Sequence, residues 1–214
     1  MIKWLDKFEF EEVIVINKAL LYIHGKNGNV EEMEYYKSFF SDYDIYGLDY
    51  KGVKPWEVKE EILTEYEKLS NDYDYISIIA NSIGAYFAMN ALSEKKLERA
   101  FFISPIVDME KLINEMMLWD NVTEQELQNK KEMETSFGEI LSWEYLCYVR
   151  KHPIIWNVET DILYAGNDNL TSHETISKFA KETNSSLEVM KNGEHWFHTN
   201  EQLEFLNNWL ISVI

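Results

Sequence analysis

The sequence predicts an α/β protein: a mostly parallel sheet flanked by helices and interrupted once by a short helical insertion. Three observations carry that expectation. Short β-branched runs alternate with helical patterns along most of the chain, as in strand–helix–strand units. One of these runs, Tyr75–Ala80, is apolar on both faces, as a strand covered by helices on both sides must be. From Ile106 to about Val158 the alternation stops and only helical patterning remains.

Taken in order, Lys7–Phe10 and Glu12–Ile16 read as two short strands, an N-terminal hairpin. Ala19–Ile23 is a buried strand that ends in His24-Gly25-Lys26-Asn27-Gly28-Asn29. Asn29 and Glu32 have the spacing of a capping box, and Met33, Tyr36, Phe39 and Phe40 give the helix behind it an apolar face. Ile45–Asp49 is the next strand, and a helix from about Trp56 to Leu69 leads into Tyr75–Ala80. Gly84–Leu92 is rich in small residues and helix formers, as a buried helix is. Arg99–Ile103, Asp161–Ala165 and Leu187–Met190 are the remaining strands. Thr171 with Glu174, and Thr199 with Gln202, are spaced to box the two helices that follow.

Composition bounds the class. A chain of 214 residues is the size of one domain with a full core, so 1–214 is read as a single domain carrying a helical insertion at about 106–158. Its 46% hydrophobic and 27% charged residues are ordinary for a soluble globular protein. A net charge of -18 argues against nucleic acid or an anionic membrane as partner. The first residues lack the apolar core of a secretory signal, and no apolar run reaches membrane-spanning length. The lone Cys147 excludes an internal disulfide, fits a reducing cytoplasm, and in its apolar context reads as a buried structural thiol. No Cys/His cluster has zinc spacing, and no metal or organic cofactor is implied.

The stretch that bears chemistry is Ala80-Asn81-Ser82-Ile83-Gly84. A strand that turns at once into a helix, with Ser at the apex and small residues two positions either side, has the form of a nucleophile elbow. The bland alternative is a serine that caps a helix.

Four motifs, in chain order from about Leu20 onward, resemble those of the α/β-hydrolase superfamily, in particular its small serine esterases and its monoacylglycerol-lipase-like or prolyl-peptidase-like hydrolases. His24-Gly25 with Gly28 resembles the family's loop after its third strand. Ala80–Gly84 resembles the elbow, with Ala where Gly is commoner. Gly166-Asn167-Asp168 resembles the acid turn, and Gly193-Glu194-His195-Trp196-Phe197 the histidine loop. Two places depart from the pattern: the loop after Asp49 lacks a second Gly, and Glu194 stands where a Gly is usual.

The resemblance implies a catalytic set of Ser82, Asp168 and His195, in the family's order. A serine hydroxyl needs a base within hydrogen-bond reach, and an imidazole titrates near neutrality. His195 would be that base and Asp168 would hold its tautomer. The oxyanion donors would be the backbone N–H groups of Ile83 and Lys26. His198 and Asp108 are the rivals for base and acid. His24, His152 and His173 read as loop, surface or packing residues, and Asp161 opens a strand at the wrong end for a site. In the insertion, Met116, Met117, Trp119 and Trp143 are the expected wall for an apolar acyl or aromatic group. The implied activity is cleavage of a small-molecule ester, thioester or amide through an acyl-enzyme in the cytoplasm. A small-ligand receptor without turnover is an alternative, as fold does not fix function. An acyltransferase or perhydrolase is another.

Overall fold

The computed structural model describes residues 17–214. The hairpin expected over Lys7–Phe10 and Glu12–Ile16 lies outside these. Six parallel strands make the sheet: β1 (Lys18–Ile23), β2 (Asp44–Leu48), β3 (Tyr75–Asn81), β4 (Ala100–Ile103) and, after a hairpin of β5 (Glu132–Glu134) and β6 (Ile140–Ser142), β7 (Thr160–Ala165) and β8 (Ser186–Met190). Their order is β2-β1-β3-β4-β7-β8. The chain therefore runs outward from β1 in one direction to β2, then crosses back to β3 and continues the other way. The β1/β3 junction is where the order reverses, and loops leaving the carboxyl ends of those two strands diverge to leave a crevice.

The helices divide between the faces. On one side lie α1 (Met33–Tyr36, entered through a 3-10 turn at Val30–Glu32) and the last helix, α8 (Asn200–Val213). They cover Leu20, Tyr22, Ile79, Phe101 and Leu163. On the other are α2 (Pro55–Asp72), α3 (Ile83–Leu92) and α7 (His173–Thr183), over Leu21, Ile78, Phe102 and Ile162. Neighbouring residues of each strand thus go to opposite cores, which is why the strands read as unbroken apolar runs. Burying each such Leu, Ile or Phe contributes about 1.5–3 kcal/mol.

The segment between β4 and β7 contains α4 (Met109–Trp119), α5 (Glu124–Lys130) and α6 (Trp143–Lys151), as its helical patterning predicts. It is not wholly helical. The β5–β6 hairpin sits between α5 and α6, with Thr135 N–H donating to Glu139 O at 2.8 Å and Gly138 at φ 83 in the turn. The helical expectation fails here because Glu-Met-Glu has no β-propensity to read; three residues are paired by the turn and by Leu141 seated in the core.

Smaller corrections concern caps. The Asn29–Glu32 and Thr199–Gln202 boxes form as expected. At α7 the cap is Ser172, whose hydroxyl accepts from Thr175 N–H, rather than Thr171. Thr171 is buried and its hydroxyl donates to Pro105 O at 3.1 Å, a tertiary bond that a local spacing rule cannot see. Cys147 is half-buried rather than buried, on the side of α6.

Candidate active site

Ser82 links β3 to α3 at φ 52 and ψ -122, a backbone region that L-residues avoid at a cost of about 1–3 kcal/mol. The surroundings hold it there. Ser82 N–H donates to Ile103 O at 3.0 Å, and its own carbonyl accepts from Ile106 N–H at 3.1 Å and Ala85 N–H at 3.2 Å. A side chain at Gly84 would strike the end of β1, with its Cβ 2.5 Å from the carbonyl oxygens of Ile23 and His24. Gly25 is nearly as tight: a Cβ there would stand 3.1 Å from Ser82 Cβ. The small residues of the elbow and of the β1 loop are thus one steric requirement, two chain segments meeting beside the serine.

His195 follows β8 and Asp168 follows β7, so both project from the edge of the sheet that carries Ser82. His195 Nε2 is 2.7 Å from Ser82 Oγ, and His195 Nδ1 is 2.7 Å from Asp168 Oδ2. The Asp168 side chain is 0% exposed and that of His195 18%. Asp168 Oδ1 accepts the N–H groups of Leu170 (2.7 Å) and Thr171 (3.0 Å), so three bonds fix the carboxylate. With Nδ1–H donating to Asp168, Nε2 is left as an acceptor facing the serine hydroxyl.

The rivals are engaged elsewhere. Asp108 caps α4, its Oδ1 accepting from Lys111 N–H at 2.9 Å. His198 is exposed, with Nδ1 2.7 Å from Trp196 O and 3.7 Å from a Glu194 oxygen. His24 stacks on Tyr50 at 4.2 Å, and Tyr50 OH donates to His24 O at 3.0 Å. His152 stacks on Tyr148 and His173 opens α7; both are exposed. Asp161 lies at the amino end of β7, bound to Arg99 and Ser186.

Ile83 is the first residue of α3, and the N–H groups of a helix's first turn have no partner inside the helix. Lys26 sits in a turn closed by Gly28 N–H on Gly25 O at 3.1 Å, with Asn27 at φ 61, a conformation Asn tolerates. The Lys26 ammonium pairs with Glu139 in the β5–β6 turn, which brings the insertion against this loop. Met117 is buried among the core residues of the insertion, while Met116 and Trp143 are half-buried against the same core. Trp119 is 48% exposed and meets Phe137 edge-on at 5.9 Å. A cavity of about 370 Å³ lies between α4, α6 and α7, with Val107, Phe179 and the charged Asp108, Arg150 and Lys178 in its wall; Ser82 and His195 do not line it.

What the sequence reading missed is a partly buried polar group behind the site, formed by Tyr22, Glu32 and Asn81. The available signal was Tyr22 itself: a tyrosine in an otherwise aliphatic buried strand needs a partner for its hydroxyl. Among the described residues, no group of three His, Cys, Asp or Glu side chains is placed to hold a metal ion. Nor is any described helix long and apolar enough to cross a membrane.

No protein-family model and no curated protein matches the sequence. Solved structures do match. Est1E from Butyrivibrio proteoclasticus is similar with a TM-score of 0.72 at 15% identity, over 94% of this chain and 88% of that one. Alpha/beta hydrolase domain-containing protein 10 from mouse gives 0.68 at 13% identity, over 88% and 86%. An esterase from Pyrococcus furiosus gives 0.61 at 17% identity, over 92% and 80%. The chain has the α/β-hydrolase fold.

Proposed function

We propose that this protein is a serine hydrolase that cleaves a small ester, thioester or amide through an acyl-enzyme. The observation that carries the reading is the unbroken line Ser82 Oγ–His195 Nε2, His195 Nδ1–Asp168 Oδ2, both at 2.7 Å and anchored on a strained elbow. An esterase and a lipase-esterase related protein among the similar structures add support.

In this reading His195 Nε2 takes the hydroxyl proton as Ser82 Oγ attacks the substrate carbonyl carbon. The carbonyl π electrons move to oxygen, which accepts from the N–H groups of Ile83 and Lys26, each typically worth about 3–4 kcal/mol in the transition state. The intermediate collapses, the bond to the leaving group breaks, and His195 returns the proton to it. Water gives a proton to the same imidazole as it attacks the acyl carbon; the second intermediate collapses, the bond to Ser82 Oγ breaks, and His195 returns the proton to Oγ as the acid leaves. Asp168 stabilises the imidazolium in both halves without taking its proton.

Est1E has been solved with ferulic acid bound. An aromatic acyl group is accordingly one substrate class to test here, with the insertion as its apolar wall. The test is a fluorophosphonate probe on the native protein, followed by a panel of aryl, alkyl and hydroxycinnamoyl esters. Labelling of Ser82, lost in Ser82→Ala with a fall in ester turnover of about five to six orders of magnitude, supports the reading. Labelling elsewhere, or turnover that survives in Ser82→Ala, overturns it. Labelling of Ser82 without hydrolysis of any ester, unless an added acceptor restores turnover, would favour a receptor over an enzyme.

A further inference from the structure

Glu32 closes the capping box with Asn29, whose N–H donates to Oε1 at 3.2 Å. Its carboxylate also reaches much further. Oε2 accepts from the Tyr22 hydroxyl. The Tyr22 oxygen accepts in turn from Asn81 Nδ2 at 3.1 Å, and Asn81 is the residue before Ser82. The Tyr36 hydroxyl completes the group, 3.4 Å from the same Asn81 nitrogen. Tyr22 and Tyr36 are buried and Glu32 is half-buried. Burial first, then Tyr36 and the hydrogen-bonded Glu32, push the Tyr22 phenol far up, so it stays a neutral donor to the carboxylate.

The carboxylate lies against the turn that carries Lys26. A Cβ on Gly28 would stand 3.1 and 3.2 Å from its two oxygens. One anionic group therefore touches three things at once: the Gly25–Gly28 turn, the Asn29 cap and, through one phenol, the residue preceding Ser82. The capping box accounts for the Glu32 carboxylate but not for the Tyr22 hydroxyl between it and Asn81. A Phe at that position would fill the same space without the cost of desolvating a phenol.

We propose that Glu32 is a positioning residue, which through Asn29 and Tyr22 keeps the turn presenting the Lys26 N–H in register with Asn81 and the Ser82 elbow. It touches neither substrate nor reacting atoms. The inference rests on the serine-hydrolase reading above, in which the Lys26 N–H receives the oxyanion. A donor displaced by about 1 Å can cost about a hundredfold in rate.

The test compares Glu32→Ala, Glu32→Gln and Tyr22→Phe with wild type in the full chain. Three things are measured well below Tm: kcat and KM for a soluble aryl ester, affinity for an aryl trifluoromethyl ketone that adds to Ser82 as a tetrahedral hemiketal, and Tm itself. In Glu32→Ala kcat falls about tenfold to a hundredfold with little change in KM. Ketone affinity falls by the same factor as kcat/KM. Tyr22→Phe moves both constants in the same direction by less, and Glu32→Gln restores part of the loss because its amide oxygen keeps one of the two bonds. A purely structural role would lower Tm and leave both constants alone, and that result overturns the proposal. If Glu32→Ala does not fold, Tyr22→Phe, which keeps ring and volume, decides: wild-type kcat and ketone affinity there also overturn it. Either failure leaves Ser82 labelling in wild type intact. Absence of that labelling removes the hydrolase reading and this inference together.

Discussion

Gly84 and His24 belong to segments sixty residues apart, yet a methyl group on Gly84 would stand 2.5 Å from the His24 carbonyl oxygen, and equally close to that of Ile23. Both obstacles are backbone, at the end of a central strand bonded on both sides, so neither can rotate away. Gly84→Ala must shift the start of α3 or the loop after β1, and overpacking of this kind costs about 1–3 kcal/mol. We expect a lower Tm and, because Ser82 and the Lys26 turn share that boundary, slower phosphonate labelling of the protein that remains folded. Thermal melts and labelling time courses measure the two effects. Wild-type values for both would mean that this contact does not hold the elbow.

Asp168 and Asp108 both follow strands, but only Asp168 meets His195. Asp168→Asn should keep the fold and hold the imidazole in the wrong tautomer, lowering kcat by about 10⁴-fold. Asp108→Asn should change little, because asparagine is as good an N-cap for α4 as aspartate. Steady-state kinetics of both variants on one aryl ester is the measurement, and a reversed ranking would place the acid elsewhere.

That Ser82, Asp168 and His195 could be picked out of the chain as one candidate cluster has a simple cause. Ser82, Asp168 and His195 each sit in a turn just past a strand, and parallel strands bring all such turns to one sheet edge. A local pattern therefore carried three-dimensional information. The strands were legible for a related reason: Leu20 and Leu21 go to different cores, so β1 reads as continuously apolar. The β5–β6 hairpin was not legible, because Glu132-Met133-Glu134 has no local preference for a strand. The Tyr22–Glu32–Asn81 group was hidden for the opposite reason. Each member already had an ordinary local role, as strand filler, cap and elbow residue, and only the fold shows that they touch.

Tyr86 and Tyr145 have buried hydroxyls with no hydrogen-bond partner among the described residues. Burial holds the Tyr145 phenol well above its ordinary range, with nearby Tyr86, Tyr50 and Tyr148 adding to the effect. An unpaired buried hydroxyl costs about 1–3 kcal/mol, and removing it while keeping the ring removes that cost. Tyr86→Phe and Tyr145→Phe should therefore leave stability unchanged or raise it, as read by urea unfolding with an unchanged m-value. A clear loss in either variant would show that its hydroxyl is bonded in solution.

The insertion residues separate by burial into two kinds. Met117 is 5% exposed inside the core, so Met117→Ala should cost about 2–5 kcal/mol of stability. Trp119 is 48% exposed at the end of α4 and edge-on to Phe137, so its loss should leave Tm nearly unchanged. If Trp119 forms part of an acyl wall, its effect lies in specificity. Each substrate methylene buried against such a wall is worth about 0.8 kcal/mol, or about fourfold in kcat/KM. In wild type kcat/KM should climb over the first few carbons of an acyl series and then level off. Trp119→Ala should flatten that climb while Ser82 still labels at the wild-type rate. Trp143→Ala, removing a half-buried ring at the start of α6, should show both effects in part. An unchanged chain-length profile in Trp119→Ala, together with a Tm that falls as far as in Met117→Ala, would mean that the insertion packs on the body without touching the substrate.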